Sequence, residues 1–379
     1  MITPARAVVG GCLIAETIES IRAVQLQDGR IPWFAGGHTD PWNHVEAAMA
    51  LTVGGALQDA ERAYEWLRAT QRPDGSWHTY YLANGQVEEP RLDTNVCAYV
   101  ATGVWHYFLV TRDSGFLEDL WPSVERAVDF VVNWQRPGGE LVWSVDPDGT
   151  PGSYGLLTGS SSAYFSLRCA IACAFQLGRE HPDWELAAGR LRHAIAHNGG
   201  GFASKDEFAM DWYYPVLVGA LDPGTASERI EERWSEFVIE QRGVRCVSDR
   251  PWVTAAETAE CAIALVAVGR RDKAAALLGW ARQHRWPDGS YTTGIVYPER
   301  STYPVAERST YTAAAVVLAE DCVQQLSPAA QLFVDGSLPG GLDLDLYAEQ
   351  KPDRRLSTRR LPVCAQCSSS NSPELSARL

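Results

Sequence analysis

The sequence predicts an all-α chain folded as an (α/α)6 toroid of six outer-inner helix hairpins, and three observations predict it. Short stretches rich in Gly and Asp recur between helical segments; those segments alternate between amphipathic and apolar nearly all round; and aromatic residues, 14 Trp and 14 Tyr against 3 Met, crowd the loops between them. A repeating unit of this kind buries its apolar face only by stacking on its neighbours, so the period governs the reading of everything else.

The stretches are QLQDGRIPWF from Gln25, QRPDGSWHTYY from Gln71, QRPGGELVW from Gln135, AHNGGGF from Ala196, the weaker EQRGVR from Glu240 and RQHRWPDGSY from Arg282. Each closes one helix and opens a polar, aromatic-rich loop. The amphipathic segments are Ala5 to Gln25, Gln58 to Gln71, Gly115 to Gln135, Trp184 to His197, Ala226 to Gln241 and Arg271 to Gln283. Their apolar residues recur at three and four, as Val124, Ala127, Val128 and Val131 show, the mark of a helix with one side in water. The apolar segments are Asp40 to Leu51, Leu92 to Leu109, Ser160 to Gly178, Ala209 to Leu221, Trp252 to Gly269 and Ser309 to Val323, which must be surrounded by protein.

End signals agree with these limits. Asp40 places a capping side chain before Pro41, Ser160 to Ser162 offer hydroxyl caps, and Gly178 and Gly269 stop their helices. The barrel is expected over residues 1–326. From about Ser327 the pattern fails, and Gly, Pro and Ser clusters, a charged patch at Lys351 to Arg355 and the ending SSSNSPELSARL mark 327–379 as an extension whose last part is expected to be disordered.

Composition narrows the partners. A net charge of -14 argues against nucleic acid, whose affinity comes from clustered Lys and Arg. The apolar patch at the start of the chain is followed by Glu16 and Glu19, and no uninterrupted apolar run approaches membrane length, so no membrane partner is expected. Nine Cys is an odd count, and Cys97, Cys169, Cys173 and Cys261 sit in apolar helical runs as small hydrophobes, which suits a reducing cytoplasm. Cys364 and Cys367 form a single pair without a partner pair, and His38 and His44 lack ligand spacing, so neither metal nor cofactor is expected.

In such a toroid the loops entering the apolar helices converge on one cavity. They carry Trp33, Trp42, Trp77, Tyr80, Tyr81, Tyr154, Trp212, Tyr213, Trp252, Tyr297 and Tyr303. Any one of these serves as core filler as readily as it serves a ligand. Together they read as stacking platforms for a carbohydrate, whose rings have an apolar face while their hydroxyls need carboxylate, amide or His partners such as His44.

DPWNHVEAAMAL, RPDGSWHTYYLANGQVEEPRLDTNVCAYVATGVWHYF, SGFLEDLWPSVERAVDFVVNWQ and YPERSTYPVAERSTYTAAAVVLA, in that order, resemble the six-hairpin glycosidases, above all the glucoamylase-like enzymes, over Thr39 to Val323. The resemblance implies metal-free, inverting hydrolysis of an oligo- or polysaccharide. It fails at one place: where glucoamylases carry their general acid in a Trp-Glu-Glu stretch, this chain reads YGLLTGSSSAYF without a carboxylate. It puts the base near Glu299, in Pro298-Glu299-Arg300. With the acid moved and an Arg-rich composition, the chain is also similar to the endo-mannosidases of methylmannose polysaccharide, which suggests an α-mannan-type or methylated mannose substrate.

Glycoside hydrolysis needs two carboxyl groups across the scissile bond, one protonated and one ionised. Asp40, at the mouth of the first apolar helix, suits the base because the helix dipole favours its ionised form; the simpler reading is a plain N-cap. Glu257, in WVTAAETAECAIAL, suits the acid because desolvation would hold its proton; the simpler reading is a buried ion pair with Arg250. Glu260 follows by three and reads as its partner. Asp93 is an alternative base or a sugar ligand, with Glu88 and Glu89 in its loop. Asp211 with Trp212 and Tyr213 reads as a subsite, and Glu307 as structural, paired with Arg308 or Arg300.

Two other classes compete. Comparable QxxDGSW repeats also mark terpenoid cyclases and prenyltransferases, but the chain has no DxDD or DDxxD, and DLDL from Asp343 lies outside the barrel. A sugar epimerase would use paired His in the cavity, for which only His44 and His106 lie on apolar helices; a glycan-binding barrel would need no catalytic pair.

Overall fold

A computed structural model describes residues 4–334 and 336–344, and of residues 4–12 the backbone alone. The described residues belong to one compact unit. The charged patch, the Cys364 and Cys367 pair and the Ser-rich ending lie outside the described residues.

Helices dominate and follow in the expected alternation. The amphipathic α1 (Pro4–Arg22) precedes the apolar α2 (Pro41–Val53); α3 (Leu57–Thr70) precedes the short α4 (Thr94–Ala98), continued by α5 (Val100–Thr111); α6 (Ser114–Val132) precedes α7 (Leu157–Gln176). Next come α8 (Pro182–His197) and α9 (Ala209–Leu217), then α10 (Pro223–Glu232) and α11 (Trp234–Phe237) before α12 (Ala255–Ala267), and last α13 (Arg271–Ala281) before α14 (Thr310–Gln324). Each apolar helix packs on the next: α2 on α5, α5 on α7, α7 on α9, α9 on α12, α12 on α14, and α14 back on α2. Small side chains permit this, as in the fully enclosed Ala47, Ala48 and Ala50 of α2. The amphipathic helices cover the apolar ones through their buried stripes.

The Gly/Asp stretches turn out to be clamps between successive pairs. The amides of Gln25, Gln71 and Gln135 each donate to the carbonyl of the Gly four residues on and to a carbonyl of the next amphipathic helix, those of Asp59, Ser123 and Ala187. The glycines have positive φ and no room for a Cβ: Gly29 would place one 2.1 Å from Arg62 O, and Gly75 2.1 Å from Arg126 O. The last clamp reaches the first helix, since a Cβ on Gly289 would lie 2.3 Å from Glu16 O, and Arg285, in the Gln position, reaches Leu13 O and the Glu16 carboxylate. EQRGVR and AHNGGGF are exceptions, the first a tight strand turn with Gln241 at φ 61°, the second a short turn over Gly199–Gly201 with open space around Gly199 and Gly200.

The all-α expectation is corrected by small antiparallel sheets at the loops. β1 (Tyr80–Tyr81) pairs with β2 (Val87–Glu89), and β3 (Leu92–Asp93) with β4 (Ser144–Val145). β5 (Val238–Ile239), β6 (Gly243–Arg245), β7 (Trp252–Thr254), β8 (Gly294–Val296) and β9 (Ser301–Thr302) form a five-stranded sheet in that order. Loops half-buried over the helix ends must pair their backbone groups, and doubling back is how they do so. The sheets place strand-to-helix junctions at Asp93, where β3 meets α4, and just before Glu257, where β7 meets α12. Ser160 to Ser162 are not caps, because α7 already begins at Leu157. After α14 the chain braces α7 and α8: the Arg168 guanidinium donates to the carbonyls of Val218, Leu338 and Pro339.

Candidate active site

Asp40 sits between the first Gly/Asp turn and α2. Its Oδ1 accepts from Asn43 N at 2.9 Å, the N-cap bond, while Oδ2 accepts from Trp33 Nε1 at 2.6 Å and from Asn43 Nδ2 at 2.5 Å. Capping uses one oxygen, so the second is held by donors the helix does not supply. Burial pushes the Asp40 carboxyl up from its ordinary range, and the Asn43 and Trp33 donors oppose it.

Asp93 caps α4 through Val96 N at 3.1 Å and is pushed up to about 6, chiefly by burial and in part by the charge of Asp40, while Trp143 donates to it. Tyr80 lies among the same carboxylates and stacks on His38 at 4.6 Å, and His38 Nδ1 stands 3.2 Å from Glu88. The Trp33 ring meets His38, Tyr80 and Tyr311 edge-on. Half-buried Trp33, Trp42, Tyr80, Trp143 and Tyr311 are therefore the aromatics that border the carboxylates, and Trp42 stacks on Tyr99 with Nε1 on Ser162 Oγ.

On α12, Glu257 is half-buried and Glu260 is buried, so the desolvation expected at Glu257 falls instead one turn later. Glu257 accepts from Thr254 Oγ1 and neighbours the Cys246 thiol, and its expected partner Arg250 is exposed beside Asp249. Glu260 accepts from Tyr213 OH; burial and the charge of Glu46 push it well up. Glu46 on α2, bonded to Tyr99 OH, is pushed up to about 7 by burial. Tyr311, at the start of α14, feels the charges of both Glu257 and Glu307. Asp40, Trp33 and Tyr311 are thus in contact from α2 to α14, and the charge of Glu257 on α12 acts on Tyr311.

Other expected residues lie elsewhere. His44 is enclosed, with Nδ1 accepting from Ile31 N and Nε2 on Ala63 O, so both ring nitrogens are taken by the backbone. Trp77 and Trp212 are fully enclosed, their Nε1 groups on Leu67 O and Arg229 O: both fill the core. Tyr81 is buried with its hydroxyl accepting from His78 N, and Tyr213 is spent on Glu260. Asp211 is taken by Thr158, through N and Oγ1. Trp252 Nε1 donates to Tyr303 O at 3.0 Å, so these two brace each other on the five-stranded sheet. Glu299 is exposed on the turn between β8 and β9. Glu307 pairs with neither Arg308, which bonds Asp288 at 2.6 Å, nor Arg300; its Oε1 accepts from Thr293 at 2.8 Å. Glu46, Trp143, Thr158 and Tyr311 were not foreseen. Glu46 was readable, a lone acid in the apolar run PWNHVEAAMAL like Glu260 in its own.

Chemically, Asp40 is met by three N–H groups that only donate, an environment for an ionised acceptor. Glu257 is met by a hydroxyl and a thiol, which accept as well as donate. His106, the other histidine an epimerase would need, is enclosed and pushed down to about 3 by burial.

No family model matches the chain. It is 49% identical over 328 residues, 86% of this chain and 90% of the relative, to the MMP endo-(1,4)-3-O-methyl-alpha-D-mannosidase of Mycolicibacterium hassiacum. A solved glycosidase aligns with TM-score 0.69 and 14% identity, covering 86% of this chain and 100% of the other; a D-mannose isomerase aligns with TM-score 0.63 and 9% identity over 83% and 97%. These two likenesses concern the fold alone, which serves both chemistries.

Proposed function

The chain belongs to the family of the MMP endo-(1,4)-3-O-methyl-alpha-D-mannosidase and is a glycoside hydrolase, and from that premise we propose that it cleaves internal (1,4) bonds of a 3-O-methylated α-D-mannose polysaccharide. The observation that carries the substrate is the identity of 49% sustained over 90% of that enzyme. The helix pairs make an (α/α)6 toroid, a reading supported by the return of α14 onto α2 and of the Gly289 clamp onto Glu16. Catalysis belongs to the pairs within 1–326, and the chain beyond them is an extension whose described part braces α7 and α8. A reducing cytoplasm suits the free cysteines Cys97, Cys169, Cys173, Cys246, Cys261 and Cys322.

Glu257 is the acid and Asp40 the base. Glu257 gives its proton to the glycosidic oxygen as the C1–O bond breaks; Asp40 takes a proton from the water whose oxygen bonds C1 from the opposite face. Both carboxyls emerge from the loop ends of apolar helices, and the Trp33–Tyr311 contact supports their facing one chamber. The reaction is inverting, which requires the two carboxyls to stand about 6.5–9.5 Å apart across the scissile bond. Asp93 is a second candidate base, favoured by its elevation to about 6 and its closeness to the charge of Asp40.

The test is incubation with an α-(1,4)-linked 3-O-methylmannose polysaccharide. New reducing ends in oligosaccharides, with the β-anomer formed first by NMR, are expected. Absence of cleavage overturns the function, and first formation of the α-anomer overturns the inverting assignment.

A further inference from the structure

Beside the mouth, between α1 and the loop entering α14, lies a groove of about 640 Å³ that none of the catalytic assignments uses. Its size is that of a ligand site. One wall is apolar and unusually open: Phe34, Ala35, Pro304, Val305 and Ala306, with Val305 85% exposed. Its charges are largely matched, Arg308 by Asp288 at 2.6 Å and Glu19 by Arg22 at 2.6 Å. A polyanion therefore finds no spare cation here, and a strongly charged ligand gains nothing from the apolar wall.

The groove is continuous with the candidate site at two points. Glu307 lines it and accepts from Thr293 Oγ1 at 2.8 Å, and Thr293 Oγ1 stands 3.3 Å from Ser309 Oγ, just before α14. Phe34 follows Trp33, whose carbonyl accepts from Thr310 N at 2.7 Å, so its loop is tied to the start of α14. Resting on the function proposed above, we infer that this groove binds the stretch of a methylated mannan that flanks the cleaved bond, with its O-methyl groups against Phe34 and Val305. The apolar wall matches the methyl ethers, the Glu307 carboxylate accepts from the remaining hydroxyls, and an endo-acting enzyme needs such a site beyond the two sugars at the bond.

The experiment compares the wild type with Val305→Asp and Phe34→Ser on α-(1,4)-mannose oligosaccharides of increasing length, 3-O-methylated and unmethylated. Binding is measured in parallel by calorimetry with Asp40→Asn as the background. Expected is a rise in KM and Kd for long methylated chains on the order of tenfold, the scale of lost apolar contacts, erasing the advantage of length and of methylation. Equal KM and Kd in the variants and their parents at every length overturns the groove while leaving the hydrolytic function standing. Binding weakened by the variants without cleavage by the wild type keeps the groove and overturns that function, and absence of binding to any chain overturns both.

Discussion

Trp33 Nε1 donates to Asp40 Oδ2 at 2.6 Å, and the same indole meets Tyr311 edge-on with centroids 5.0 Å apart. One side chain thus shares with Asn43 the hold on the second oxygen of the base candidate and touches the aromatic on which the charge of the acid candidate acts. Trp33→Phe keeps the ring and removes the donor. Burial raises Asp40 and this donor lowers it, so its loss raises Asp40 further. A base works only when ionised, so the acid limb of the kcat/KM profile is expected to move to higher pH. A profile with an unmoved acid limb would remove Asp40 from the role of base.

Asp40→Asn and Glu257→Gln separate chemistry from folding. Asn still caps α2, so the first variant should keep its helix. Each is expected to lower kcat by on the order of 10²–10⁴, the contribution of a positioned acid or base, with Kd for the oligosaccharide little changed. Asp93→Asn run beside them decides between the two base candidates: whichever of Asp40 and Asp93 tolerates its amide is not the base.

Glu46 supplies a pH-dependence of stability. Its folded-state value of about 7 lies above its ordinary 4.5, so the folded protein binds more protons between these limits. The stability it contributes is complete below 4.5 and is lost as pH rises through 7. Glu46→Gln keeps an acceptor for Tyr99 and removes that titration. The variant's stability relative to wild type is expected to rise between pH 5 and pH 8, by at most about 3 kcal/mol, in denaturant melts at both values. A constant difference between variant and wild type would show that Glu46 does not titrate in this window.

The helical order was legible because it rests on periodicity and turn chemistry, which are local. Asp40 at its cap and the Gly178 and Gly269 stops are of that kind. The clamps were legible only as a motif, since their partners, the Arg62, Arg126 and Glu16 carbonyls, lie one repeat away or at the far end of the chain. Aromatics were the least legible. Trp33 and Trp77 both follow a Gly/Asp turn, yet one borders the carboxylates and the other is buried on Leu67, because depth beneath the neighbouring helix leaves no mark in composition. The strands that bring Trp252 and Tyr303 together escaped periodicity because they are two or three residues long.

Gly75→Ala tests the clamps. The added Cβ would lie 2.1 Å from Arg126 O at a φ of 91°, whereas at Gly149, φ 87°, nothing lies within 4 Å. Backbone strain alone costs about 1–2 kcal/mol and is common to both. The clash should add about 1–3 kcal/mol at Gly75 only. Equal denaturation midpoints for the two variants would mean that the clamp yields without cost.

Glu299 and Glu307 place the last loop's carboxylate in competition. Resemblance favours Glu299, but it is exposed on the β8–β9 turn, while Glu307 is held by Thr293 and lies close enough to act on Tyr311. A surface Glu→Gln change alters energies by about 0.5 kcal/mol or less, so Glu299→Gln should keep kcat/KM within about twofold. Losing a charged hydrogen-bond acceptor beside the chamber is worth about 1.5 kcal/mol or more, so Glu307→Gln should lower kcat/KM on the order of tenfold, chiefly through KM. The opposite ranking would return the base to the position that the glucoamylase pattern gives it. It would also require the β8–β9 turn to close over the bound chain, which hydrogen exchange with and without oligosaccharide would detect at Val296 and Ser301.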